Sequence, residues 1–220
     1  MPVPLACLRL ETLPASGDPV PRTPASGNAV FTSVHAVHGA ARLRPFPWPG
    51  VRALAIGAAT RDALVRAGQR PWAEPVAPYT SEALLAWLVA AQGPPLADGT
   101  TIVKGVGGRG VLESGLAEAG APVATLEVYR RTLPVHDARE VRRALEPVPD
   151  ILCTTSDEVL DNLLTLAGDR ARSLLARPLV VNGERGAAHA RSRGFAAEVM
   201  VASPPGDAGQ LECLARWSRA

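Results

Sequence analysis

Apolar and polar positions alternate along this chain in two rhythms. Short runs rich in β-branched residues give way to longer stretches with helical spacing, and most of these close on a glycine. The clearest unit is Thr101–Pro134. Thr101–Lys104 reads as a strand, Gly105–Arg109 as a glycine turn, and Val111–Ala119 as a helix stopped at Gly120. Val123–Tyr129 reads as a second strand running into the basic Tyr129-Arg130-Arg131. Ahead of it, strands are predicted at Val3–Leu13, Ala29–Thr32, Val51–Ile56 and Arg70–Pro75. Between them, Ser33 caps a helix to Arg42, Thr60 caps Arg61–Ala67, and Ser81 caps Glu82–Ala91. Pro14–Gly27 reads as a linker.

After the central unit the pattern returns. A helical segment at Ala138–Glu146 precedes a strand at Ile151–Thr154. Thr155 opens a capping box with Glu158 for a helix to Ala167. Leu179–Val181, a helix ending at Gly194, Glu198–Ala202 and a helix over Asp207–Trp217 follow. VFTSVHAV lies over TTSDEVL, and ALAIGAATRDALVRAG over LVVNGERGAAHARSRG. Alternating strands and helices predict parallel sheets covered on both faces, and the duplication predicts two similar α/β domains. In a doubly wound order the second copy lacks one strand–helix pair of roughly 30 residues.

Composition changes this picture little. Apolar residues make up 47% of the 220, enough for cores. A net charge of +2 does not by itself suggest nucleic acid, and leaves room for a local basic patch that takes an anionic small molecule. Cys7, Cys153 and Cys213 fit no metal spacing and no disulfide framework. No leader opens the chain and no apolar run nears the ~20 residues of a membrane helix, so a soluble cytoplasmic protein is expected.

Three kinds of chemistry are open. Gly105, Gly107 and Gly110 match G-x-G-x-x-G between strand and helix, with Glu127 on the next strand, as in a dinucleotide-binding oxidoreductase. Ser33, Thr60, Thr155 and Ser156 fall where strands give way to helices. There hydroxyls cap helices and can also line a ligand site. Lys104, Arg109, Arg130, Arg131 and Arg185 could supply countercharge to a polycarboxylate, catalytically or in a non-catalytic two-lobed binder. Tyr129 is either a proton donor beside arginines or an interface aromatic. His35 and His38 lack the acidic or cysteine partners of a metal site.

The pieces FTSVHAV (31–37), ALAIGAATRDALVRAG (53–68), SEALLAWL (81–88), KGVGGRGVLESGLAEAGAPVATLEVYRR (104–131), TSDEVLDNLL (155–164) and the closing RPLVVNG…RGFAAEVMVASPPGDAGQLECLARW resemble, in order and spacing, the uroporphyrinogen-III synthase family. The resemblance implies two flavodoxin-like parallel-sheet domains joined by a two-stranded linker, with the active site in the cleft between them. One domain would be 14–134 and the other 1–13 plus 135–220. It implies a monomer without metal or organic cofactor, acting on hydroxymethylbilane, a linear tetrapyrrole with eight carboxylates. That substrate is cyclised with loss of water and inversion of the last ring. By match to the family motifs, Ser33, Thr60 and Ser156 bind substrate and Tyr129 is the candidate acid. Lys104, Arg109 and Thr155 are the further substrate-binding candidates on the residue reading. The turn Asn182-Gly183-Glu184-Arg185 departs from the family, which often has a hydroxyl there. The family's opening strand and helix, with a T-R-P-like turn, are also missing, and a late-assigned start codon would account for their absence.

Overall fold

A computed structural model describes residues 3–13, 24–90 and 96–219. The chain divides into two compact units, Leu10–Arg131 and Met1–Arg9 with Thr132–Ala220.

The continuous unit carries β1 (Arg9–Thr12), β2 (Gly27–Phe31), α1 (Val34–Leu43), β3 (Val51–Ala55), α2 (Ala58–Arg66) and α3 (Ser81–Val89). A 3-10 turn, Leu96–Asp98, leads to β4 (Thr100–Gly105), α4 (Val111–Glu118) and β5 (Val123–Thr132). The sheet order is β1-β5-β4-β2-β3, and the pairs β2/β3, β2/β4 and β4/β5 are parallel. The chain therefore winds outward in opposite directions from β2 and β4, the doubly wound arrangement. Alternate strand residues feed two cores. Ala29, Phe31, Ala53, Val103 and Leu126 face Ala36, Val37 and Ala40 of α1 and Leu64 of α2. Val30, Leu54 and Ile102 face Leu84 and Leu88 of α3 and Leu112 and Leu116 of α4. β2 is buried along its whole length, as a central parallel strand should be.

The split unit carries α5 (Ala138–Leu145), β6 (Leu152–Cys153), α6 (Asp157–Ala167), α7 (Ala171–Leu175), β7 (Leu179–Val181), α8 (Glu184–Ser192), β8 (Val199–Val201) and α9 (Asp207–Trp217). Its sheet, β6-β7-β8, is parallel throughout. Leu152, Leu179 and Val181 pack on Leu160, Leu163 and Leu164 of α6 and on Ala187 and Ala190 of α8. The duplication is visible in the pairing. β6 and β7 stand to β8 as β2 and β3 stand to Pro71, which makes an isolated parallel bridge to Ala53. Among the described residues no strand pairs with the other edge of β6, the position that β4 holds beside β2.

Several elements differ from expectation for physical reasons. Of Val3–Leu13 only Arg9–Thr12 is a strand. The residues before it turn inward instead. Leu5 and Cys7 join the core, and the Cys7 carbonyl accepts a hydrogen bond from Asn162 Nδ2 at 2.7 Å. Arg70–Pro75 reduces to the Pro71 bridge, with Trp72 N donating to the Ala53 carbonyl. α2 starts at Ala58 with Gly57 as its N-cap, so Thr60 does not cap it. Thr80 caps α3 in place of Ser81. Ser156 caps α6 in place of Thr155. Most of the predicted linker, residues 14–23, lies outside the described residues, and Gly27 begins β2.

One packing contact is pH-sensitive. The His136 ring has Nε2 2.6 Å from the Ala6 carbonyl and Nδ1 3.2 Å from Glu140, whose carboxylate also accepts the Asp137 N–H in the capping box of α5. Both ring neighbours are acceptors, so only the imidazolium satisfies both. The Ala6 carbonyl foremost, with Glu140, holds the His136 pKa above its ordinary value. A raised folded pKa stabilises the protein fully below the unfolded value of ~6.5, and that stabilisation is lost as pH rises through the folded value. Replacing His136 with Gln is therefore expected to lower the thermal midpoint at pH 5.5 and to leave little difference from wild type at pH 8.5. Equal differences at both values would remove His136 from the pH dependence.

Candidate functional site

The carboxyl ends of β2 and β4 mark the point where the continuous sheet reverses its winding, the place where such sheets take ligands. A cleft of about 390 Å³ opens there. It is lined by Thr32 and Ser33 after β2, by Lys104 and the glycine turn after β4, by Tyr79–Ser81 at the start of α3, and by Tyr129 and Arg131 of β5.

Ser33 is the N-cap of α1 and its Oγ accepts the Ala36 N–H at 3.1 Å. The same Oγ lies 3.2 Å from the Tyr129 hydroxyl. Capping occupies a lone pair of the hydroxyl and leaves its hydrogen for a second partner. Tyr129 reaches Ser33 because β5 is irregular. The β4/β5 register passes from Lys104↔Glu127 to Gly105↔Tyr129, so Val128 is an extra residue. A regular strand would send Val128 and Tyr129 to opposite faces. The bulge instead places both in the core beneath α1. Tyr129 is only 6% exposed. Its ring sits 5.9 Å from that of His35, with the Arg131 guanidinium 5.9 Å from its centroid.

Gly105 is the floor of this arrangement. A Cβ at Gly105 would meet Tyr129 Cε2 and Cζ at 2.6 Å. The first glycine of G-x-G-x-x-G is thus required by a tyrosine ring. Gly107, Gly108 and Gly110 take positive φ, which carries the turn into α4. Glu127 accepts the Gly107 N–H at 3.4 Å.

The other predicted residues are placed as follows. Lys104, the only lysine in the chain, lines the cleft and is ion-paired with Glu113 of α4. Arg109 lines it and pairs with Glu82 of α3 at 2.6 Å. The Glu82 carboxyl is held below its usual pKa, first by its own backbone N–H and then by Arg109. Thr60 is buried and is not part of the cleft lining.

Thr155 and Ser156 lie in the split unit, at the carboxyl ends of its strands, beside a second cavity of about 280 Å³. Ser156 Oγ accepts the Val159 N–H, again leaving its hydrogen available. Arg185 lines the same cavity and pairs with Asp157. Sequence reasoning missed two residues that shape this end. Asn182 Oδ1 accepts from Gly206 N and Gln210 Nε2, and Asn182 Nδ2 donates to the Thr155 carbonyl. Gln210 Nε2 also donates to the Thr154 carbonyl. One amide side chain thus ties together the loops after β6, β7 and β8. The signal was the departure of Asn182 from a hydroxyl residue at that turn.

Among the described residues no cluster of His, Cys, Asp and Glu could hold a metal ion, and no helix is long and apolar enough to cross a membrane. Cys7 and Cys213 are buried thiols and Cys153 is an exposed one.

Comparison with known proteins places this geometry. No curated protein matches the sequence. Solved structures share the fold, the following two among them. A uroporphyrinogen-III synthetase from Helicobacter pylori aligns at 16% identity over 96% of this chain and 90% of that one, with a TM-score of 0.66. A mutant uroporphyrinogen III synthase from the extremely thermophilic bacterium Thermus thermophilus aligns at 23% identity over 96% and 87%, with a TM-score of 0.59. Nothing in these comparisons supports a dinucleotide-binding oxidoreductase or a non-catalytic binder. Residues 2–209 match the family described as uroporphyrinogen-III synthase HemD, nearly the whole of the sequence, and this chain belongs to the uroporphyrinogen-III synthase family, enzymes of haem biosynthesis.

Proposed function

We propose that this protein closes hydroxymethylbilane to uroporphyrinogen III, using Tyr129 as the proton donor. The observation that carries the reading is the Tyr129 hydroxyl held beside Ser33 at the switch point of the sheet, in a chain that matches the family over residues 2–209.

The substrate brings its own reactivity, so the protein needs to hold it curled and to help one bond break. The Tyr129 hydroxyl gives its proton to the terminal hydroxyl of the bilane. The C–O bond breaks and water leaves, while the pyrrole nitrogen, keeping its hydrogen, supplies the electron pair that makes an azafulvenium cation opposite the phenolate. The substituted carbon of the last ring attacks that centre and forms a C–C bond in a spiro intermediate. The spiro intermediate fragments and recloses with the last ring inverted. The proton lost as the ring regains aromaticity returns to the phenolate oxygen. Substrate minus water equals product, and no electrons are exchanged with another molecule.

Ser156 keeps a hydroxyl hydrogen for a substrate carboxylate and the exposed Thr155 adds another; Ser33, which shares a hydrogen bond with the Tyr129 hydroxyl, binds a carboxylate by giving that bond up. Lys104 and Arg109 lie where a carboxylate arm of the substrate would compete with Glu113 and Glu82 for them. Thr60 is a substrate-binding candidate by the family match alone, since it is buried and outside the cleft lining. We place the enzyme in the cytoplasm, as a monomer.

The test is a coupled assay with freshly made hydroxymethylbilane, the products being oxidised and resolved by isomer. Isomer III is expected. Isomer I alone would exclude the reading.

A further inference from the structure

We infer that Tyr79 contacts the substrate and offers its ring to a pyrrole of the bound tetrapyrrole. This rests on the function proposed above and adds a residue to it.

Tyr79 is the non-glycine residue with a positive φ, 65°, among the described residues. A side chain in this region of backbone space is strained, and glycine or asparagine takes it far more readily. Burial does little to offset the strain, because Tyr79 is 53% exposed and joins none of the hydrophobic cores. The fold alone would be better served by a small residue. The conformation is nonetheless well anchored. Tyr79 N donates to the Val76 carbonyl at 2.8 Å, and the next residue, Thr80, caps α3. Gly57, the N-cap of α2, leaves room beside it: a Cβ at Gly57 would stand 3.7 Å from the Tyr79 Cβ.

This rigid mounting holds an uncovered aromatic ring in the wall of the cleft that also contains Tyr129, Ser33 and Lys104. The ligand class follows from the wall. A single pyrrole ring with anionic arms meets a phenol face through offset or edge contact, and its carboxylates meet Lys104 and the hydroxyls. Strain held at an exposed aromatic in a binding cleft is the pattern of a side chain kept for what it touches.

The strain makes the test discriminating, because stability and binding move in opposite directions. Tyr79→Gly relieves the backbone, so its thermal midpoint is expected to match or exceed that of wild type. Its KM for hydroxymethylbilane is expected to rise about tenfold, with kcat little changed, since a ring contact made equally in ground and transition states acts on KM. Tyr79→Phe keeps the ring and is expected to raise KM less than Tyr79→Gly. A wild-type KM in Tyr79→Gly overturns the inference, as does a loss of midpoint and kcat at constant KM, which would mark a structural role. If wild type itself yields only isomer I, the proposed function fails and this inference with it. If wild type yields isomer III and only the KM prediction fails, the proposed function stands.

Discussion

Tyr129→Phe is expected to lower kcat about 100-fold for formation of isomer III, while KM and the thermal midpoint stay near wild type. A positioned general acid contributes roughly 10²–10⁴-fold, and the low end applies because the bilane loses its hydroxyl without help. Phe keeps the ring in its seat over Gly105 and beneath α1. Only the hydroxyl and its 3.2 Å contact to Ser33 are lost. The share of isomer I should grow in proportion, as unassisted closure competes. Steady-state kinetics with isomer analysis decides it. An unchanged kcat would leave Tyr129 as a packing aromatic, and a fallen midpoint with raised KM would point to a structural defect.

Gly105→Ala is expected to cut kcat by at least about tenfold and also to destabilise the protein, by about 1–3 kcal/mol as in other overpacked cores. The added methyl would stand 2.6 Å from two ring carbons of Tyr129. Relief requires the ring to tilt or the β4/β5 bulge to shift, and either moves the hydroxyl away from Ser33. A displacement of an ångström at a reacting group is enough for a large loss of rate. In a chain of this length each kcal/mol lowers the thermal midpoint by about 2–4 °C. Combining Gly105→Ala with Tyr129→Phe separates the two effects. If the methyl acts by displacing the hydroxyl, it costs no further kcat once the hydroxyl is gone, while the loss of stability remains. Additive losses of kcat would show that Gly105 acts by another route.

What was legible in the sequence was whatever depends on local spacing. The helix Asp207–Trp217 has the bounds its apolar spacing predicts, and Ser33 caps α1 as its place before an apolar run requires. Where two hydroxyl residues stand side by side the choice of cap was not legible. Thr80-Ser81 and Thr155-Ser156 each offer two candidates, and the path of the incoming chain selects between them. The alternation of Val3–Leu13 suits a strand, but its first half meets the core and Asn162 before it meets a sheet edge. In the site, the residue types were legible and their partners were not. Lys104 reads as free countercharge until Glu113 is brought to it by the turn into α4. The glycines read as a dinucleotide fingerprint until the extra residue Val128 turns a tyrosine ring onto the first of them. Periodicity assumes a regular strand, so a bulge is invisible to it.

Strand β1 has a consequence for the order in which the molecule is made. It precedes every other strand among the described residues, yet its neighbour in the sheet is β5, and the Glu11–Arg130 ion pair beside that edge joins residues 119 positions apart. The Cys7–Asn162 hydrogen bond spans 155. On a ribosome the residues around β1 therefore wait, without their native neighbours, until most of the polypeptide has been synthesised. β2, β3 and β4 with α1 to α4 can assemble from the chain already made. The closing of loops this long is the slow step that non-local topology imposes, and its entropic cost grows only logarithmically with span. This early segment is thus a late clasp of the continuous unit: β1 gains its sheet neighbour only once β5 has been made.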